Sequence, residues 1–192
     1  MRAAIVGLAL LVVLAFLGVV GYALARQTGF ASGSVAASNA GAARVFGTGQ
    51  LIELKPFPAP AFALQLFGGA QWQLSAQRGH PVLINFWASW CPPCKAEMPI
   101  VQAGYERWHD RLSFVGIDVW DTPQDAQAFL QQYGASYPNG DDPAGKIAIN
   151  YGLTGVPETF IVDAKGQVIQ HYIGPLDATA LDALAAAAVA QP

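Results

Sequence analysis

The sequence predicts an α/β fold: a central mixed sheet flanked by helices, preceded by an N-terminal β-hairpin and a transmembrane helix. Two patterns predict it. An uncharged apolar stretch opens the chain, and from about residue 51 onward apolar runs of strand length alternate with helix-like segments. At 192 residues the chain has room for one domain of ordinary size plus these additions.

The opening stretch, Ala3 to Ala25, carries no charged residue. As a helix rising about 1.5 Å per residue it spans a hydrocarbon core of about 30 Å, so residues 1–27 read as a membrane anchor. A cleaved signal peptide is the alternative, because Ala23-Leu24-Ala25 has the small-x-small form of a cleavage site. The apolar run exceeds the roughly 7–15 residues of a signal core and favours the anchor. Charge barely orients it, with Arg2 on one side and Arg26 on the other. Residues 28–50, rich in Gly, Ala and Ser, read as a flexible linker, and residues 51–192 as the folded domain.

Within the domain, "FALQLF" and "QWQLS" around Gly68-Gly69 predict a hairpin. "PVLINFWA" is a continuous apolar run, the mark of a central strand buried on both faces. Pro93 to about Trp108 reads as a helix, and Pro99 inside it predicts a kink. "LSFVGIDVW" is a second buried strand. Thr122 reads as an N-cap, with Pro123 at the first helical position and Asp125 in the first turn of a helix reaching about Gln132. A short helix over Lys146–Tyr151 leads to the strands "ETFIVD" and "VIQHYI" about a turn at Lys165-Gly166. An Ala-rich helix from Asp177 to about Ala190 closes the chain.

The net charge of -3 is mild and the basic residues are scattered, which excludes a nucleic-acid footprint. Both cysteines stand in "WCPPC", as Cys91 and Cys94. A structural zinc site needs four ligands, and His80, His109 and His171 have no metal-ligand spacing among themselves. Covalent haem uses C-x-x-C-H, whereas Lys95 follows Cys94. An inert core pair is poorly placed at a strand-to-helix junction. Redox exchange remains, and it has a physical basis. Cys91 falls at the helix N-terminus, where unpaired N–H groups and the positive end of the dipole favour a thiolate. Cys94, one turn in and more buried, is placed to resolve a mixed disulfide on Cys91. Pro92 and Pro93 have no N–H to offer the sulfur, so Cys91 is expected to be only moderately acidified, nearer the reducing end of the C-x-x-C range.

At "FWASWCPPCKAEMP" the chain resembles the thioredoxin superfamily, and "GVPETFIVD" (155–163) strengthens the resemblance, which runs from about Phe57 to the C-terminus. It implies that Pro157 is cis and that Val156 faces the sulfurs, with exposed backbone able to pair with an extended substrate. The anchor, "WCPPC" and "PETF" are similar to the cytochrome c maturation proteins of the CcmG/DsbE type, although that family often has Ala where Val156 stands. This likeness implies a single-pass protein of a bacterial inner membrane, monomeric, with its catalytic domain on the periplasmic side. Its substrate would be the disulfide of an apocytochrome c C-x-x-C-H segment, and its electron donor a membrane thiol transporter of the DsbD or CcdA type. No cofactor is implied.

Other residues carry weaker expectations. Cytosolic thioredoxins place a buried Asp where this chain has Asn85, and the family pattern offers Glu158 as the substitute base; contact with substrate at a strand end is the alternative. Glu97 and Lys95 read as the solvated first-turn face of the helix. Trp90 and Trp87 could form an apolar platform beside Cys91, with a core role equally open for Trp87. Asp118 and Asp121 read as solvated loop charges near the site. Three rivals stand against the dedicated reductant. One is a general oxidoreductase of the ResA/TlpA type. Another is a peroxidase of the peroxiredoxin kind, for which no PxxxTxxC pattern occurs. The third is a copper carrier using Cys91, Cys94 and His171.

Overall fold

The structure, a computed structural model, describes residues 44–46 and 49–191. The anchor expected over 1–27 lies outside these residues, as does most of the linker expected over 28–50. Among the described residues no helix is long and apolar enough to cross a membrane.

The strands are β1 (Arg44–Phe46), β2 (Gly49–Ile52), β3 (Phe57–Pro58), β4 (Ala63–Gln65), β5 (Gln71–Gln73), β6 (Val82–Trp87), β7 (Ser113–Val119), β8 (Asn139–Asp142), β9 (Glu158–Val162) and β10 (Gln167–Ile173). The helices are α1 (Pro92–Trp108), α2 (Pro123–Tyr133), α3 (Lys146–Tyr151) and α4 (Ala178–Val189), with a 3-10 turn at Leu74–Gln77. The main sheet runs β1-β2-β10-β9-β6-β7-β8, with β3 also on β10. It is mixed: β6, β7 and β8 are parallel, whereas β9 is antiparallel to both β6 and β10. β4 and β5 pair antiparallel on either side of Gly68-Gly69.

Alternation along the central strands divides the core. Leu83, Trp87, Phe114 and Ile161 point to one face, where they meet Cys94, Met98 and Val101 of α1, Phe129 of α2 and Leu181 and Leu184 of α4. Ile84, Phe86, Val115, Ile117, Phe160 and Val162 point to the other, against Ile147 and Tyr151 of α3 and Leu64 and Trp72 of the β4/β5 pair. Every residue of β6 is buried, which is why it reads as an apolar run, interrupted only by Asn85, and it sits mid-sheet.

Local chemistry sets the helix ends. The Thr122 hydroxyl accepts from the Asp125 amide at 3.2 Å, Pro123 opens α2, and Gly134 ends it at φ 63°. The Asp177 carboxylate likewise accepts from the Ala180 amide at 2.7 Å. Two segments differ from expectation. Among the described residues, strand structure is already present at Arg44–Phe46 and from Gly49, inside the segment read as linker, because β2 pairs with β10, Leu51 opposite Tyr172, and β1 pairs with β2 in turn. β8, "NGDD", carries no strand-forming residue. Its ladder to β7 makes it a strand, and its Asp142 carboxylate accepts from the amides of Lys146, Ile147 and Ala148 to start α3.

One contact ties the core to this edge. The Trp87 indole stacks on Phe129, with centroids 4.9 Å apart, and donates to Asn139 Oδ1 at 2.9 Å. Gly116 leaves the room: a Cβ there would overlap the Asn139 amide and lie 2.8 Å from Trp87 Nε1. Gly116→Ala is therefore expected to destabilise the fold by about 1–3 kcal/mol, seen as a lower urea midpoint at unchanged slope.

Candidate active site

Cys91 is the N-cap of α1 and Pro92 and Pro93 form its first positions. Cys91 and Cys94 are joined as a disulfide, with Cα atoms 5.3 Å apart. The Cys94 amide donates to Cys91 Sγ at 3.3 Å, and the two prolines between them have no N–H to add to it. Only 2% of Cys91 and none of Cys94 is exposed, so the junction is closed over both sulfurs and Cys91 is the outer one.

The Val156–Pro157 bond is cis, and the Val156 carbonyl oxygen lies 3.5 Å from Cys91 Sγ. β6 and β9 bring these together: they are adjacent and antiparallel, so the end of β6 that leads to Cys91 meets the start of β9 that follows Pro157. Trp90, half-exposed at 53%, donates its indole N–H to the Trp120 carbonyl at 3.2 Å. Trp120 itself is 47% exposed and holds φ 55°, the left-handed region that bulky residues avoid. Trp87 is wholly buried, which settles it as a core residue.

Glu97 is the main surprise. It is fully buried rather than solvated. Cys94 and Glu97 stand three apart on α1 and share its inward face, which also carries Met98, Val101 and Gly104. Glu97 accepts from Asn85 Nδ2 at 2.9 Å and from the Leu176 amide at 2.9 Å. Burial pushes its pKa up to about 7, against the pull of these two hydrogen bonds. Asn85 also donates to Thr159 Oγ1, and its own Oδ1 is buried without a partner. Protonated Glu97 would need an acceptor, and turning the Asn85 amide over supplies one, with the Thr159 hydroxyl switching from acceptor to donor. The pair can therefore hold a proton or release it beside Cys94.

Glu158 fits neither role expected for it. Along β9 the side chains of Glu158, Phe160 and Val162 alternate with Thr159 and Ile161, so Glu158 points to the face opposite Cys94. It is 1% exposed, so it does not touch substrate. Its Oε1 accepts from the Thr154 amide (2.9 Å), the Thr154 hydroxyl (2.5 Å) and the Gly155 amide (3.0 Å), and its Oε2 meets His171 Nε2 at 2.6 Å. Burial would raise its pKa, but the hydrogen bonds from His171 and Thr154 outweigh that and hold it below the usual carboxylate range. His171 is thereby committed to Glu158 and stacks on Phe160, centroids 4.0 Å apart, so it cannot join the sulfurs around copper. Among the described residues no group of three or more His, Cys, Asp or Glu could hold a metal ion.

Asp118 is also corrected. It lies within β7, opposite Trp87, and is 1% exposed. Burial, then the charge of Asp121, push its pKa up to about 8. Asp121 accepts from the Ser89 amide at 2.7 Å and the Thr122 amide at 2.8 Å, which fixes the loop running into Trp90 and Cys91.

A sulfur pair that opens and closes at a helix N-terminus passes two electrons at a time, and on this sheet it places the chain among thiol:disulfide oxidoreductases of thioredoxin-like fold. Residues 57–171 match the AhpC/TSA family, to which the chain belongs. It is similar to the thiol:disulfide interchange protein HelX of Rhodobacter capsulatus, 40% identical over 121 residues, 62% of this chain and 67% of that one. It is also similar to the thiol-disulfide oxidoreductase ResA of Bacillus anthracis, 32% identical over 117 residues, 60% of this chain and 68% of the other. Among solved structures, a thiol:disulfide interchange protein of the thioredoxin family from Chlorobium tepidum matches with TM-score 0.65 at 26% identity, covering 71% of this chain and 99% of that one. The chain is thus of the DsbE/HelX type, with ResA a further relative.

Proposed function

We propose that this protein is a reductant of apocytochrome c, acting on the disulfide of the C-x-x-C-H segment before haem is attached. In this reading the N-terminal residues anchor it, as a monomer, in a bacterial inner membrane with the domain on the periplasmic side. A membrane thiol transporter of the DsbD or CcdA type returns it to the dithiol. The observation that carries the proposal is the outer sulfur of Cys91 beside the Val156 carbonyl, with "PETF" following; the relatives of DsbE and HelX type support it.

The chemistry balances as follows. The Cys91 thiolate attacks one sulfur of the substrate disulfide, forming a mixed disulfide and expelling the other sulfur as a thiolate that takes up a proton. Cys94 loses its proton to the Glu97 carboxylate and attacks Cys91 Sγ, closing the Cys91–Cys94 bond and releasing the second substrate sulfur as a thiolate that takes up a proton from solvent, while Glu97 returns its own proton to solvent. The substrate gains two electrons and the protein loses two. Extended substrate backbone pairs along Val156, and the exposed Trp90 indole, next to Cys91 in the chain, offers it an apolar surface.

Cys94→Ala tests the partner, because the mixed disulfide on Cys91 then has no resolving thiol. Trapping in cells is expected to recover an apocytochrome c. Recovery of many unrelated secreted proteins would replace the dedicated reading with a general oxidoreductase of the ResA/TlpA type.

A further inference from the structure

The carboxylate of Glu158 has one oxygen for the loop and one for His171. Oε1 gathers both amides of Thr154 and Gly155, the two residues immediately before Val156. Oε2 takes the His171 Nε2–H at 2.6 Å. His171 in turn is held from both sides, lying opposite Ile52 of β2 and Phe160 of β9, and its ring lies flat on Phe160 at an interplanar angle of 10°. A carboxylate is a flexible support unless both oxygens are engaged; here the rigid sheet fixes one and the loop hangs from the other. Thr154 is exposed and Gly155 and Val156 are half-buried, so solvent reaches this part of the loop.

We propose that His171 is a positioning residue: acting through the Glu158 carboxylate, it sets the Thr154–Val156 edge against which a disulfide-bearing polypeptide docks beside Cys91. His171 lies on the face of the sheet away from the sulfurs, so it governs how the polypeptide is held and leaves the sulfur chemistry alone. Small thiols, which need no backbone pairing, do not sense it.

The test uses the full chain in detergent micelles. Reduced protein is mixed with a peptide closed by a C-x-x-C-H disulfide, and its oxidation is followed against peptide concentration. In parallel, dithiothreitol reduces the Cys91–Cys94 disulfide. His171→Phe keeps a ring for Phe160 to stack on but removes the donor. It is expected to raise the half-saturating peptide concentration about tenfold, with the maximal rate and the dithiothreitol rate unchanged. His171→Gln, which restores an N–H donor, should recover most of that loss. An unchanged half-saturating concentration in His171→Phe overturns the inference, as does equal slowing towards peptide and dithiothreitol in both variants. The inference rests on the site acting on polypeptide disulfides. If the wild-type chain shows no preference for the C-x-x-C-H peptide over an unrelated disulfide peptide, the cytochrome assignment falls alone, and the His171 comparison is read on either peptide.

Discussion

Cys91→Ser is expected to reduce exchange with peptide disulfides to the uncatalysed background, whereas Cys94→Ala should still complete the first attack and stop there. The asymmetry follows from position. Cys91 caps α1, its sulfur accepts the Cys94 amide, and it is the outer of the two. A thiolate there is favoured by the helix N-terminus, while a serine hydroxyl at the same place stays protonated and is a poor nucleophile without a base. Cys94 is fully buried one turn further in and reaches no substrate sulfur directly. Single-turnover release of peptide thiol, measured for each variant, separates the two halves. Equal residual activity in the two variants would mean that the sulfurs are interchangeable and that the helix end does not select the nucleophile.

What the sequence disclosed depended on the range of the interaction. The Thr122-Pro123 start of α2 and the cysteine pair at the start of α1 are local, and their spacing shows them directly. Cis Pro157 and its approach to Cys91 came through the motif, since residues 66 positions apart have no local signature. Glu97 was legible in principle. Buried positions 94, 97, 98, 101 and 104 make one face of α1, and a charged residue on that face is a buried acid rather than a solvated one. Glu158 shows the same lesson on a strand: period-two alternation puts Thr159, not Glu158, on the side of the sulfurs. β8 and the pairing of His171 with Glu158 were out of reach, because register across the sheet creates both.

Glu97→Gln should have two effects of opposite sign. The first is on stability. Folding raises the Glu97 pKa from an ordinary 4.5 to about 7, so the folded protein holds this proton more tightly than the unfolded chain does. Its contribution is complete below about pH 4.5 and is lost as pH climbs through about 7, by on the order of 3 kcal/mol. Glutamine does not titrate and, once the Asn85 amide turns over, can donate to Asn85 Oδ1, so the variant should lose this part of the pH dependence and be the more stable protein at pH 8. The second effect is on rate. Without a carboxylate beside Cys94, resolution of the mixed disulfide should slow by about a hundredfold, and the inflection near neutral pH should vanish from its rate profile. Thermal unfolding at pH 5 and pH 8, with single-turnover resolution over the same range, measures both. A variant that keeps the wild-type slope of stability with pH would show that Glu97 is ionised in the fold. One that resolves at the wild-type rate would remove it from the proton path.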